Sequence, residues 1–141
     1  MISHKIKSGI NGNIKIPGDK SISHRSIIIP SISKGVSEIN NILMSEDVLH
    51  TLEAFKSMGV KIIKKNNQII IYGNGLDSLS KSQKPIYLGN SGTSARLLIG
   101  LLASQPFDSI IEGDDSLSSR PMKRIIDPLK LMGAEFQNTS G

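Results

Sequence analysis

The sequence predicts an α+β fold built from a repeated βαβαββ unit, and three observations carry this prediction. Residues 21–63 and residues 92–136 show helical and strand patterns of apolar residues in the same order. Short stretches also correspond between the two copies: Lys56–Val60 matches Lys130–Ala134, and Ser23–Arg25 matches Ser94–Arg96. The first copy closes with two strands, but the second reaches Gly141 without them, so we expect an incomplete second unit.

The first unit, about residues 18–80, is predicted to contain two helices and three strands. Ser45 can cap the second helix, since two carboxylates follow it in the first turn, and Gly59 can end that helix. The predicted elements are a helix at 23–33, a strand at 37–43, a helix after Ser45, and a hairpin that joins 60–64 to 68–72.

The second unit, about residues 84–141, repeats this order. It is predicted to have a helix at 93–104, a strand at 109–112 and a helix at 121–132 that ends at Gly133. Residues 1–17 lie outside both units. Two short strands between His4 and Ile16 are expected to belong to another domain, because a Pro-Gly turn separates them from the first helix.

Composition narrows the classes of function. The chain has 141 residues and a net charge of +5, which favours anionic partners. It has no cysteine, which excludes disulfides, thiolate zinc sites and a cysteine nucleophile and fits a reducing cytoplasm. The three histidines lack metal-ligand spacing, and no apolar run is long enough to span a membrane. We therefore expect a soluble cytoplasmic protein without a metal or cofactor.

Three glycine-containing turns carry the candidate functional residues. The strongest is Pro17–Arg25, where a Pro-Gly turn leads into a helix start, a place that favours anions. Lys20 supplies a mobile charge, Ser21 a hydroxyl donor, and Arg25 a fork that can grip a phosphate or carboxylate. An ordinary serine-capped helix with solvated cations is the alternative, and the residue types alone do not decide between the two.

The other two turns are predicted to reach the same face. Leu88–Arg96 is a second glycine-rich entry to a helix, in which Gly92 permits close approach of a ligand and Asn90 can donate to it. A tight turn that requires glycine is the alternative, and the local residues alone favour it. In Gly113–Met122, Pro121 suits a first helical turn and places Arg120 at the helix mouth. Because the repeat puts these helix starts in comparable places, the three turns could line one anion pocket.

The three motifs together resemble the 5-enolpyruvylshikimate-3-phosphate synthase family, the 3-phosphoshikimate 1-carboxyvinyltransferases. The resemblance runs along nearly the whole chain. It implies an inverse α/β barrel-like architecture of two domains, each with three βαβαββ units, in which residues 18–141 form part of a substrate-binding domain. It also implies transfer of the enolpyruvyl group of phosphoenolpyruvate to the 5-hydroxyl of shikimate 3-phosphate, with release of phosphate and without a metal.

The resemblance assigns roles to six positions. Lys20 would contact both substrates and take part in catalysis, and Ser21 and Arg25 would hold shikimate 3-phosphate. Asn90 and Gly92 would border the phosphoenolpyruvate site, and Arg120 would bind its anionic end. The family's proton-handling acidic residues would lie beyond residue 141. We therefore expect a monomeric full-length enzyme, of which the 141-residue chain is a fragment that binds substrate without turnover.

Other readings of the sequence compete with this one. The related UDP-N-acetylglucosamine enolpyruvyl transferases usually have asparagine after the loop lysine, where this chain has Ser21, and a cysteine that this chain lacks. RNA 3′-phosphate cyclases share the unit but not the lysine–serine–arginine loop. A basic nucleic-acid-binding module is a further alternative, although five aromatic residues (two Tyr and three Phe) offer few stacking platforms.

Overall fold

The computed structural model describes residue 9 and residues 11–65 and 68–137 of the chain. Five helices and five strands are labelled here in chain order. The first unit contains α1 (Lys20–Ile32), β1 (Lys34–Asn40), α2 (Glu46–Ser57), β2 (Lys61–Lys65) and β3 (Gln68–Asn74), followed by a short 3₁₀ turn at Leu76–Ser78. The second contains β4 (Ile86–Tyr87), α3 (Gly92–Leu102), β5 (Ile111–Glu112), α4 (Asp115–Ser118) and α5 (Lys123–Leu131).

The strands form two small sheets, one in each unit. In the first sheet β3 is central and pairs antiparallel with both β1 and β2, with Ile71 opposite Ser37 on one side and Ile62 on the other. In the second sheet β4 and β5 run parallel, with Ile86 opposite Ile111. The predicted α+β mixture of helices and strands is thus confirmed.

The core lies between the first sheet and helices α1, α2 and α3. Alternate residues of β3 point to opposite faces, and Ile69 and Ile71 face this core. Phe55 of α2, Ile27 of α1 and Leu98 of α3 are each completely buried there. Burial of side chains of this size contributes about 1.5–3 kcal/mol each, so the aliphatic core fixes how the starts of the three helices lie relative to one another.

Several boundaries differ from those predicted. Helix α1 begins at Lys20 rather than at residue 23, because Asp19 caps it: its Oδ1 accepts a hydrogen bond from Ile22 N at 2.7 Å. Strand β1 begins at Lys34, three residues before the predicted strand, since its pairing with β3 extends to Asn74. The four-residue α4 was not predicted.

Parts of the prediction fall where the structure shows no regular element or describes nothing. Residues 11–19 have no regular secondary structure, while positions 4–8 and 10 and the hairpin turn at Asn66 and Asn67 lie outside the described residues. The assignment of residues 1–17 to another domain stays a prediction. Within the described part, none of the helices is both long and apolar enough to cross a bilayer.

Candidate anion-binding site

The first of the three glycine-containing turns lies at the start of α1. Lys20 is the first residue of the helix, and Ser21 and Arg25 follow on its exposed surface. Within the described residues, neither Ser21 nor Arg25 makes a side-chain hydrogen bond or an ion pair. A cationic fork and a hydroxyl are therefore free beside a helix N-terminus, where backbone N–H groups and the helix dipole attract anions.

Lys20 has an acidic neighbour from the second helix. Its ammonium forms an ion pair with the Asp47 carboxylate, in the first turn of α2. The lysine side chain is 50% exposed, whereas that of Asp47 is only 14% exposed. The pair therefore leaves one side of the ammonium open to a ligand while the carboxylate limits where the flexible lysine stem can place it.

The second glycine-containing turn lies at the start of α3. Ser91 Oγ caps this helix by accepting a hydrogen bond from Ser94 N at 3.3 Å. Two arginines approach Gly92 at this end. A Cβ atom built on Gly92 would lie 2.8 Å from Nη1 of Arg96 and 2.8 Å from Nη1 of Arg120. The two guanidinium nitrogens are thus no more than twice that distance apart, and a side chain at position 92 would occupy the space between them.

The charges of these two arginines are not neutralised within the described residues. Arg96 Nη1 donates to the Gly92 carbonyl at 3.3 Å, and Arg120 Nη2 lies 3.5 Å from Ser116 Oγ, but neither arginine has a carboxylate partner there. Arg96 Nε is buried and has no hydrogen-bond partner among the described residues. Two like charges held together at the positive end of a helix repel one another, so an anion between them would be strongly favoured.

Backbone hydrogen bonds hold the turn that precedes Arg120 against the turn that contains Gly92. Leu88 N donates to the Glu112 carbonyl at 2.9 Å, and Asp114 N donates to the Gly89 carbonyl at 3.0 Å. Asp114 also caps α4, since its Oδ1 accepts from Leu117 N at 2.8 Å. Because α4 ends just before Arg120, this cap helps to direct the arginine back to the start of α3.

Four buried side chains, which we call the polar cluster, link the three long helices: His24 of α1, Thr51 of α2, and Ser91 and Ser94 at the start of α3. His24 Nδ1 lies 2.8 Å from Thr51 Oγ1 and 3.3 Å from Ser94 Oγ. Ser94 Oγ lies 2.7 Å from both Thr51 Oγ1 and Ser91 Oγ. The cluster thus connects the helix that carries Lys20 with the helix that carries Gly92.

His24 is completely buried, and the charges of Asp47 and Lys20 lie near enough to act on its imidazole. Burial lowers the pKa of its imidazole, and the nearby Lys20 charge acts in the same direction, while Asp47 partly opposes both. The ring is therefore neutral at neutral pH and hydrogen-bonds within the polar cluster as a neutral group.

A cleft of about 300 Å³ opens beside these turns, but its charge is unsuited to phosphate. Its lining includes Glu46, Asp47 and Asp114, together with the His50 and Tyr87 rings, which meet edge to face with centroids 5.4 Å apart. Asn90, which is exposed and lies two residues before Gly92, also lines this acidic cleft. The cation-lined surface is therefore the better candidate for an anionic ligand.

The structure brings some of the predicted residues together and adds two others beside them. Gly92 and Arg120 lie together at the start of α3, whereas Lys20, Ser21 and Arg25 lie at the start of α1. The binding roles of these residues stay predictions. Sequence reasoning missed Arg96 and treated Asp47 as a simple helix-start charge. A signal for Arg96 was present, because the internal repeat aligns it with Arg25.

Comparison with known proteins assigns the family. The family model described as EPSP synthase (3-phosphoshikimate 1-carboxyvinyltransferase) matches residues 4–141. The chain belongs to the EPSP synthase family. A curated relative named 3-phosphoshikimate 1-carboxyvinyltransferase, from Vesicomyosocius okutanii, is 55% identical over 92% of this chain. A protein of the same name from Lactococcus lactis is 55% identical over 94% of it.

Solved structures agree with the assignment to the EPSP synthase family. The EPSP synthase from Acinetobacter baumannii superposes with a TM-score of 0.87 and 50% identity over 92% of this chain. The chain spans about 30% of the length of that protein and of the two curated relatives, respectively 30%, 30% and 31%. Nothing in these comparisons supports the nucleic-acid-binding or RNA 3′-phosphate cyclase readings.

Proposed function

We propose that this chain supplies one wall of the active site of a 3-phosphoshikimate 1-carboxyvinyltransferase. Lys20, Ser21 and Arg25 bind shikimate 3-phosphate, while Gly92, Arg96 and Arg120 bind phosphoenolpyruvate, with Asn90 at the edge. Both ligands carry several negative charges. The family membership and the relatives' shared name support this pair of substrates.

The observation that carries the proposal is the pair of guanidinium groups beside Gly92. Their Nη1 atoms flank a space that a Cβ atom would fill, next to the positive end of the α3 helix dipole. A phosphate or carboxylate that occupied this space could accept hydrogen bonds from both arginines and relieve their repulsion. The absence of a side chain on Gly92 keeps the space open.

The chemistry requires charge neutralisation and positioning more than an unusual nucleophile. A C–O bond forms between the 5-oxygen of shikimate 3-phosphate and C2 of phosphoenolpyruvate, the C2–O bond to phosphate breaks, and the 5-hydroxyl proton leaves with the phosphate in the overall balance. Preorganised cations stabilise the charge that moves during addition and elimination. Lys20, whose ammonium Asp47 holds at the start of α1, is the residue proposed to contact both substrates and to assist proton transfer.

Ligand binding by the ¹⁵N-labelled 141-residue chain tests the proposal. Shikimate 3-phosphate at millimolar concentration is expected to shift the amide signals of Ser21 and Arg25. Phosphoenolpyruvate added next is expected to shift those of Gly92 and Arg96. Unchanged spectra with both ligands would refute the substrate assignment, and equal shifts with inorganic phosphate alone would reduce the site to a general anion site.

A matched pair of variants separates site binding from net charge. Arg25→Ala and Lys34→Ala each remove one exposed cation, but Lys34 lies at the far end of α1, at the start of β1. We expect a large loss of shikimate 3-phosphate affinity, about tenfold or more, only for Arg25→Ala, because a charge-assisted hydrogen bond contributes about 1.5–3 kcal/mol. The chain alone is expected to release no phosphate from the two substrates, and substrate-dependent phosphate release would contradict that expectation.

We also propose that the protein works in the cytoplasm. A chain without cysteine fits a reducing compartment, and both substrates are small charged metabolites that do not cross membranes unaided. Cell fractionation with an antibody against the chain tests this, and recovery in the membrane pellet would contradict it.

A further inference from the structure

We infer that the polar cluster is a positioning device for the candidate site: it holds the start of α1 and the start of α3 at a fixed separation through Thr51. This inference rests on the proposed function, since it assigns to His24, Thr51 and Ser94 the task of keeping the two ligand-binding helix starts in register. None of these side chains touches the ligands themselves, because all three are almost completely buried.

One direction of donation satisfies every bond of the cluster at once. Thr51 Oγ1 lies 3.2 Å from the Asp47 carbonyl oxygen, which can only accept, so the Thr51 hydroxyl can donate there. In that arrangement Thr51 accepts from His24 Nδ1 and from Ser94, and Ser94 accepts from Ser91. Whichever atoms donate, Thr51 is the point at which α1 and α3 meet.

Both ends of the cluster continue directly into ligand-binding residues. At one end, the backbone carbonyl of Asp47 accepts a hydrogen bond from Thr51, and the carboxylate of the same residue pairs with the Lys20 ammonium. At the other end, Ser91 caps α3 immediately before Gly92. A second bond fixes the start of α1, since Ser23 Oγ accepts from Leu43 N at 3.0 Å. Removal of the Thr51 hydroxyl would thus loosen the two helix starts together, without changing any residue that faces the ligand.

Two substitutions at Thr51 separate hydrogen bonding from packing. Thr51→Val keeps the shape of the side chain but removes the hydroxyl, whereas Thr51→Ser keeps the hydroxyl and removes a methyl group. The control is Ser31→Ala, because Ser31 is equally buried in α1 but its hydroxyl bonds, among the described residues, only to the Ile27 carbonyl of its own helix, at 2.7 Å. The affinity for shikimate 3-phosphate is measured at a temperature at which every variant is fully folded.

We expect Thr51→Val to weaken shikimate 3-phosphate binding by about five- to tenfold, the equivalent of one lost hydrogen bond, and Thr51→Ser and Ser31→Ala to stay within about twofold. Amide hydrogen exchange in the absence of ligand provides a second readout. In Thr51→Val, exchange at the hydrogen-bonded amides of Ile22, Ser23, Ser94 and Ala95 should accelerate together.

The two readouts distinguish the possible failures. If the parent chain does not bind shikimate 3-phosphate but exchange still accelerates at both helix starts in Thr51→Val, the substrate assignment fails and the positioning role stands. If exchange in Thr51→Val matches that of Thr51→Ser, or if Ser31→Ala accelerates it equally, the positioning role is overturned. If the parent chain binds shikimate 3-phosphate and Thr51→Val binds it with the same affinity, the positioning role is overturned as well.

Discussion

Gly18 lies where the turn before α1 touches the chain that follows β1, and its replacement by alanine tests how closely that turn must pack. Its backbone is not in the left-handed region, so the substitution introduces no backbone strain. A Cβ atom at this position would, however, lie much less than 3.0 Å from the Asn41 carbonyl oxygen. It would also lie 3.1 Å from Leu43 N. Both neighbours are backbone atoms, which cannot rotate away as a side chain can.

The size of the effect follows from the distances. The two segments must separate by about 1 Å to restore ordinary contacts, and overpacking of this kind costs about 1–3 kcal/mol. Such a movement would stretch the bond from Leu43 N to Ser23 Oγ, now 3.0 Å, beyond hydrogen-bonding range. It would also carry Lys20 away from Asp47, so we expect about tenfold weaker binding of shikimate 3-phosphate, the loss of one charge-assisted contact.

Urea unfolding followed by circular dichroism measures the stability change, and the NMR titration measures affinity. Gly12→Ala is the matched control, because a Cβ atom at Gly12 would meet none of the described residues within 4 Å and the backbone there is also not left-handed. The control should unfold within about 0.5 kcal/mol of the parent chain, as surface substitutions do. A Gly18→Ala chain with the same stability and affinity as Gly12→Ala would refute the close packing of this turn.

Three further predictions concern stability. The pKa of folded His24 is lowered, so only the unfolded chain takes up this proton as the pH falls below about 6.5, the ordinary histidine value. Stability should therefore fall with decreasing pH from there to the lowered pKa of the folded ring, by up to about 1.4 kcal/mol per pH unit, and His24→Asn should remove this slope. Leu98→Ala should cost about 2–5 kcal/mol because Leu98 is fully buried, but Leu97→Ala, at a side chain that is 40% exposed, should cost far less. Gly100→Ala, in an exposed interior position of α3 with open space around it, should stabilise the chain by about 1 kcal/mol.

Urea unfolding at several pH values checks these predictions in one series. If the stability of the parent chain and of His24→Asn falls in parallel as the pH is lowered, the buried imidazole does not cause the loss of stability in acid. Equal losses for the two leucine variants would contradict the orientation of α3. A loss of stability in Gly100→Ala would mean that the exposed side of this helix is covered.

The sequence predicted the type and order of most elements because their apolar patterns are long and periodic. Boundaries were less accurate where tertiary contacts decide them. Helix α1 starts at Lys20 since Asp19, rather than a serine, provides its cap, and β1 starts at Lys34 since its register is set by β3, more than thirty residues later. The short α4 has too few residues for a periodic signal.

The candidate site was predictable where cations lie beside glycine turns, as with Lys20 and Arg120. It was not predictable where residues act across large sequence separations. The pairing of Asp47 with Lys20 and the bond between His24 and Thr51 each join residues 27 apart, so no local motif marks them. Arg96 could have been found by applying the internal repeat to the site as well as to the fold.

Two sets of hydrogen bonds hold the candidate site together, and they differ in how much they depend on side-chain identity. The turns before Gly92 and Arg120 are joined by main-chain bonds from Leu88 and Asp114, which any amino acid except proline could supply. The polar cluster depends instead on the side chains of four particular residues. The two turns are therefore joined to each other without any side chain, whereas a single side-chain change such as Thr51→Val removes the link between the first and third helices.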